Sequence, residues 1–338
     1  MRGGSVEVGR FPFPQGKYVD AVRWLSAISG GDRLVLVATS SEASSSSSIE
    51  IQSLSSSSSP SLQLTSSYSS PARISSVKVA AYGSKAVIAA SSMSGRVLFL
   101  TADLLQASLD TISISHLGSK ISGMDLEAST STCHCVSVGE EGGVNLLSLE
   151  EARVHHKCLF HNQGFMSYTA TRWASPNEFV TAGLSLGSPL QWWDLRTPSN
   201  SNSNSNSNSN WVRSRTAGVI HSIDIHPSRK HLCVVGGSSG SVFAWDLRWQ
   251  QEPIPLIDTE SSSRKISGMP SESEVWEVKY DHYTQSGSLG MASSKIPPVM
   301  ACSEDGILAI FESGEVPIEV LAEPCAINTF DIDPENSS

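Results

Sequence analysis

Charge is scarce in this chain. Only 17% of its 338 residues are Asp, Glu, Lys or Arg, and 33 carboxylates against 23 basic side chains leave a formal net charge of −10. A domain that grips phosphate backbones is normally basic, because its binding is driven by counterion release. The balance argues against nucleic acid as a direct partner and suits a protein that binds other proteins. Six cysteines, at 133, 135, 158, 233, 302 and 325, form no C-x-x-C pair. No stretch approaches the ~20 apolar residues of a membrane span, and no secretory leader opens the chain. These features lead us to expect a reduced, intracellular protein with structural thiols.

Catalytic signatures are missing as well. There is no G-x-S-x-G, no H-E-x-x-H and no glycine loop placed to cradle phosphate. The turn at 139–143, Gly-Glu-Glu-Gly-Gly, joins two candidate strands with no helix after it to hold an anion. His155, His156 and His161 lie near Cys158, with Cys133, His134 and Cys135 upstream. Their spacing matches no zinc motif, and strand alternation puts the two thiols on one face and His134 on the other. We therefore expect no enzyme activity, no metal, no cofactor and no small-molecule substrate. A helical stripe of useful length is also lacking, residues 104–109 being the best short candidate.

What the chain does contain is a repeat. A β-branched or aromatic alternation around one charged residue recurs, as in Val22-Arg23-Trp24, Val77-Lys78-Val79, Met124-Asp125-Leu126 and Thr171-Arg172-Trp173. It continues as Ile223-Asp224-Ile225, Val278-Lys279-Tyr280 and Phe330-Asp331-Ile332. The charged residues stand at 23, 78, 125, 172, 224, 279 and 331. That spacing, lengthened by loops, suits a four-stranded unit of ~40–45 residues. Each unit continues with a second apolar run (34–38, 86–90, 133–138, 178–182, 231–235, 299–302), a turn containing Gly, and a third alternating run. Gly supplies the positive φ that a tight hairpin needs. Short strands at a fixed period predict an all-β propeller in one domain over 1–338, since a single blade cannot bury both faces and the ring must close.

Six units are complete and a seventh begins at 326–334, so seven blades are expected with the last incomplete. Residues 11–19 are a candidate for one more of its strands. Whether the ring stays open, or a partner completes it, is left open by the sequence. Polar low-complexity stretches at 44–59, where serine runs 44–48 and 55–59 flank a short strand Ile49-Glu50-Ile51, and at 199–210 and 258–274 cannot repay chain entropy by burial and read as flexible loops within the domain.

Two third strands end in Trp193-Asp194-Leu195-Arg196 and Trp245-Asp246-Leu247-Arg248. Two Trp-Asp pairs at matching places in a repeat resemble WD40 units. The expected role of Trp193, Asp194, Trp245 and Asp246 is blade structure, the indoles packing between neighbours. The Gly-His dipeptide of the ideal unit is nearly absent. Glu274-Val275-Trp276-Glu277-Val278 reads either as an inner strand or, through Trp276, as an aromatic rim for a partner.

The same stretches also resemble the WD-repeat nucleoporin family of the Y-shaped outer-ring complex, in a plant-like form. They are Lys17-Tyr18-Val19-Asp20 on to Trp24, Trp192-Trp193-Asp194-Leu195-Arg196, residues 236–248, 273–278 and 326–331. The resemblance implies a scaffold subunit of the nuclear pore complex at the nuclear envelope. It would bind other nucleoporins, nucleoporin eighty-five of the short arm among them, and support pore assembly, mRNA export and protein transport. The family's last blade continues further than this one does. An alternative resemblance, of Trp-Asp-x-Arg to the docking box of cullin-four ubiquitin-ligase substrate receptors, would make Arg196 and Arg248 partner-binding residues.

Overall fold

The architecture comes from a computed structural model that describes residues 11, 16–25, 33–55, 61–82, 85–129, 132–150, 153–161, 166–185, 190–196, 218–246, 253–256, 273–281, 296–312 and 316–333. Among these residues there are strands and turns but no helix. The strands form six antiparallel sheets. Sheet one holds β1 (Lys17–Leu25), β2 (Arg33–Ser41), β3 (Ser46–Ser55) and β4 (Ser61–Ser70). Sheet two holds β5 (Ile74–Tyr82), β6 (Lys85–Ser92), β7 (Arg96–Asp103) and β8 (Ser108–His116). Sheet three holds β9 (Gly123–Ala128), β10 (Cys133–Val138), β11 (Val144–Glu150) and β12 (Arg153–Phe160). Sheet four holds β13 (Met166–Ser175), β14 (Glu178–Ser185) and β15 (Leu190–Asp194). Sheet five holds β16 (Ile220–Ile225), β17 (Leu232–Gly237), β18 (Val242–Asp246) and β19 (Ile254–Pro255). Sheet six holds β20 (Val275–Tyr280), β21 (Val299–Ser303), β22 (Ile307–Phe311) and β23 (Ile318–Ala322).

Strands follow one another inside each sheet in chain order, so every connection within a sheet is a hairpin. The first strand of each is innermost, and consecutive inner strands touch around a channel. This is a β-propeller. Gly95, Gly142, Gly240 and Gly306, at equivalent turns between second and third strands, have φ of 75, 79, 70 and 83°. Each turn needs the left-handed conformation that glycine adopts without strain.

Five apolar clusters fill the five junctions between successive sheets. Leu36, Ile49 and Ile51 of sheet one meet Ile88 and Leu100 of sheet two. Phe99 meets Cys135 and Leu147 between sheets two and three, and Val138 meets Tyr168 and Phe179 between three and four. Trp245 packs between four and five, and Tyr280 between five and six. Period-2 alternation produces these layers, because every second residue of each strand faces the next sheet.

The junction from sheet six back to sheet one is different. Residues 326–333 carry no assigned strand, yet they lie between β20 and β1. The Phe330 amide donates to Glu277 at 3.2 Å, and the Phe330 carbonyl accepts from Arg23 at 3.3 Å. The seventh unit is therefore present as an extended segment at the innermost position, beside six sheets.

Four expectations need correction. Sheet four, expected as a complete unit, has three strands among the described residues. Lys17, Tyr18 and Val19 belong to the inner strand of sheet one, paired with Ser41, Ser40 and Thr39, and do not serve the seventh unit. Residues 104–107 form a turn, with Ala107 at φ 48°, ahead of β8. Within 44–59 the short strand expected at 49–51 is longer, running as β3 into the serines on both sides and paired with both neighbours. Ile49 and Ile51 fill the core on one face. On the other, buried Glu50 accepts from Lys17 at 2.7 Å, Ser48 at 2.9 Å and Gln52 at 2.9 Å, so its buried carboxylate is satisfied within the sheet. Residues 199–210 and 258–272 lie outside the described residues.

Candidate interaction sites around the channel

The seven charged repeat residues line one cavity of about 180 Å³ in the channel: Arg23, Lys78, Asp125, Arg172, Asp224, Lys279 and Asp331. Each occupies the same place on an innermost segment. From Asp125 on, the signs alternate around the ring as far as Arg23, and three of the adjacent pairs bond directly. Arg172 reaches Asp125 at 3.2 Å and Asp224 at 2.9 Å, and Lys279 bonds Asp331. The three aspartates do one more job in common. Asp125, Asp224 and Asp331 accept the backbone N–H of Trp173, Tyr280 and Trp24, at 2.8, 2.9 and 2.8 Å. Each donor is one residue past the next unit's marker, so each aspartate ties its unit to the following one. The seventh segment keeps this device and fastens itself to sheet one.

Seven positions cannot alternate without a fault, and the fault falls between Arg23 and Lys78. Arg23 is satisfied from outside the ring by Glu277, whose Oε1 lies 2.8 Å from Nη2. Thr329 also donates to Glu277 at 2.8 Å. Burial alone would push the Glu277 carboxyl up, but Arg23, Lys279 and Lys78 outweigh it and hold it down to about 2. Lys78 fares worse: its one ion-pair contact is Asp125 at 3.7 Å. Burial, with Arg172 and Arg23 adding to it, brings its ammonium down to about 8 despite Asp125. Such a ring, with its donors turned on its own acceptors, serves to hold inner strands together.

The Trp-Asp positions are divided by the structure. Trp193 ends β15, stacks on Phe179 at 5.7 Å and 6°, meets Phe160 of sheet three edge-on, and donates to Thr181 at 2.9 Å. Trp245 ends its strand fully buried at 1% exposure beside Phe243. Asp194 accepts the Arg196 amide at 2.9 Å, and Asp246 closes β18. Arg196 is exposed, its guanidinium engaged by Asp194 at 2.8 Å and Glu178 at 2.6 Å. Arg248 lies outside the described residues. Trp276 is half-buried in inner strand β20, stacked at 4.9 Å on His221, which pairs with Glu274 at 3.0 Å. It lines one channel mouth with Asp20 and Asn328. The ring does not bring Trp193, Arg196, Trp245 and Trp276 together as one site.

No group of His, Cys, Asp or Glu fit to hold a metal ion occurs among the described residues. Cys133, Cys135, Cys233 and Cys302 are buried, and burial pushes their thiols up, Cys133 and Cys302 to about 12. Buried thiols in that state are inert. Glu277 is the residue sequence reasoning passed over. Its signal was present: two positions before each marker stand Ala21, Ser76, Gly123, Ala170, Ser222, Glu277 and Thr329, and only one of these is charged.

No family model matches the chain. It is 44% identical to the nuclear pore complex protein NUP43 of Arabidopsis thaliana, over 99% of this chain and 94% of that protein. It is 28% identical to nucleoporin Nup43 of Mus musculus, over 51% of this chain and 37% of the mouse protein. Among solved structures, the WD40 repeats of RRP9 superpose with a TM-score of 0.60 at 15% identity, covering 95% of this chain and 86% of that one. At that identity the likeness is one of fold.

Proposed function

This chain belongs to the Nup43 family of nuclear pore complex proteins, and from that membership we propose that it works as a structural scaffold subunit of the pore's outer ring. The coarser statement, that it is a nucleoporin of the nuclear pore, rests on the family itself. The scaffold role deepens it. On this reading the propeller binds other nucleoporins, nucleoporin eighty-five of the short arm among them. Its contribution to mRNA export and protein transport follows from pore assembly, without chemistry of its own. The 44% identity along nearly the whole chain carries the proposal. A formal net charge of −10 and channel charges that pair with each other support it.

The test is affinity purification of the tagged full chain from native extract, with stoichiometric partners identified by mass spectrometry. Outer-ring nucleoporins are the expected result. A cullin-four ligase and its adaptor, recovered without nucleoporins, would overturn it. Arg196 also separates the two readings: a ligase box needs this guanidinium for the adaptor, whereas here Asp194 and Glu178 hold it. Arg196→Ala should leave both the nucleoporin yield and the melting temperature unchanged, as befits an exposed pair.

A further inference from the structure

We propose that the outer edge of sheet six, strand β23, is a docking edge where an extended segment of a partner protein, alternating aliphatic and basic residues, adds as a fifth strand. This goes beyond the scaffold reading and names a surface and a partner chemistry. β23 is last in the order β20-β21-β22-β23, and among the described residues it pairs only with β22. Its outward N–H and C=O groups are a template for another strand.

The side chains around this edge are unusual for the molecule. Val316 is 64% exposed, Ile318 56% and Val320 41%. Among the described residues, three of the nine exposed large apolar side chains thus fall within five consecutive positions. Among the same residues, other outer strands expose one aliphatic side chain at most, Leu64 in β4, Ile114 in β8 and Ile254 in β19. β12 exposes Arg153, His155, His156 and Lys157, while β4 exposes Gln63, Thr65 and Ser67 around a single Leu64. Alternation puts Val316 and Ile318 on one face, whereas Val320 stands at a bulge, where the register with β22 shifts between Glu319 and Leu321. Register agrees for Ile318, which sits opposite Ile310, whereas Glu319 sits opposite Ala309 on the other face. Ala309 and Phe311 pack against sheet five, so Ile318 looks away from that junction.

Charge selects the occupant. Glu319 is exposed in the middle of the strand, and the chain as a whole is strongly acidic. A second copy laid antiparallel on this edge would bring like carboxylates close, which is destabilising. A strand with lysine or arginine at alternate positions meets Glu319 instead, while its aliphatic positions cover Ile318, and Val320 adds apolar surface at the bulge. Pro317 lacks an N–H and so limits the ladder to the residues after it.

The probe is a synthetic peptide of alternating valine and lysine, titrated onto the full chain by fluorescence anisotropy, with amide hydrogen exchange as a second readout. Saturable binding with slowed exchange at 318–322 is expected. Ile318→Ser with Val320→Ser should weaken it at least about tenfold, because both substitutions remove apolar surface that the added strand would cover. Glu319→Lys should reverse the preference toward a peptide of alternating valine and glutamate. A peptide with proline at its inward-facing positions should not bind. No saturable binding, equal binding of the proline peptide, or undiminished binding by the serine variant would each overturn the proposal. Recovery of nucleoporins by the unaltered chain would survive any of these failures, so this proposal and the scaffold reading can fall separately.

Discussion

The junction between sheets one and two and the junction between sheets six and one do the same mechanical job with opposite chemistry. At the first, Leu36, Ile49, Ile51, Ile88 and Leu100 interdigitate, each 1% exposed or less. At the second, residues 326–333 reach across with Arg23, Glu277, Thr329, Lys279 and Asp331. Apolar layers are non-directional and insensitive to protonation. A network of buried ion pairs is directional and specific, but it is costly to break because each partner is left as an uncompensated buried charge. The propeller thus closes its ring where the chemistry is most conditional.

The sharpest way to break that contrast is to damage each junction once. Glu277→Ala leaves the Arg23 guanidinium buried without its carboxylate and should cost about 3–5 kcal/mol in denaturant unfolding. Replacing both partners, Arg23→Met with Glu277→Leu, should recover most of the loss, since neither charge then remains to be desolvated. Leu100→Ala, at the apolar junction, should cost about 2–5 kcal/mol with no comparable rescue. If the double variant proves as unstable as the single one, the closing segment is held by something other than this pair.

Acid separates the two junctions next. Glu277 is held to about 2 in the folded protein, against an ordinary 4.5. A carboxyl with a depressed folded pKa stabilises fully above its unfolded value, and the contribution is lost as pH falls through the folded value. The loss should therefore run from about pH 4.5 down to about 2 and reach about 3 kcal/mol. Unfolding midpoints measured across that range should fall less steeply in the Arg23→Met/Glu277→Leu protein, while Leu100→Ala should keep the full slope. Equal slopes in all three would show that other carboxyls govern acid stability.

The repeat made the propeller legible because strand alternation and glycine turns are local, and the markers at 23, 78, 125, 172, 224, 279 and 331 proved to be the channel ring itself. The strand at Ile49-Glu50-Ile51 is legible, but the serines beside it that join β3 read as loop, because serine signals a loop only when its backbone has no ladder to join. Between Ile49 and Ile51, a core face and neighbours on both sides override that preference. Glu277 escaped because its partners, Arg23 and Thr329, lie 254 and 52 residues away. Only closure of the ring brings them together. Trp276 could be placed on an inner strand from sequence, but its stacking on His221 depends on how two neighbouring sheets meet.

The smallest expected effect lies at the fault in the alternation, where Lys78 sits beside Arg23 with one carboxylate at 3.7 Å. Its ammonium titrates at about 8 when folded, against 10.5 ordinarily. The folded state then binds fewer protons than the unfolded state between those values, so stability rises with pH across that window, and below it the fold carries the cost of the buried charge. Lys78→Met keeps the volume and removes that charge, while Arg172 still neutralises Asp125. With the side chain 21% exposed and the Asp125 pair lost, the gain at pH 7 should be about 1 kcal/mol, fading as pH approaches 10.5. Thermal unfolding of the two proteins at pH 7 and pH 10 measures it. A variant less stable at pH 7 would mean that Lys78 holds sheets two and three together, and that the ring tolerates its odd cation because it needs it.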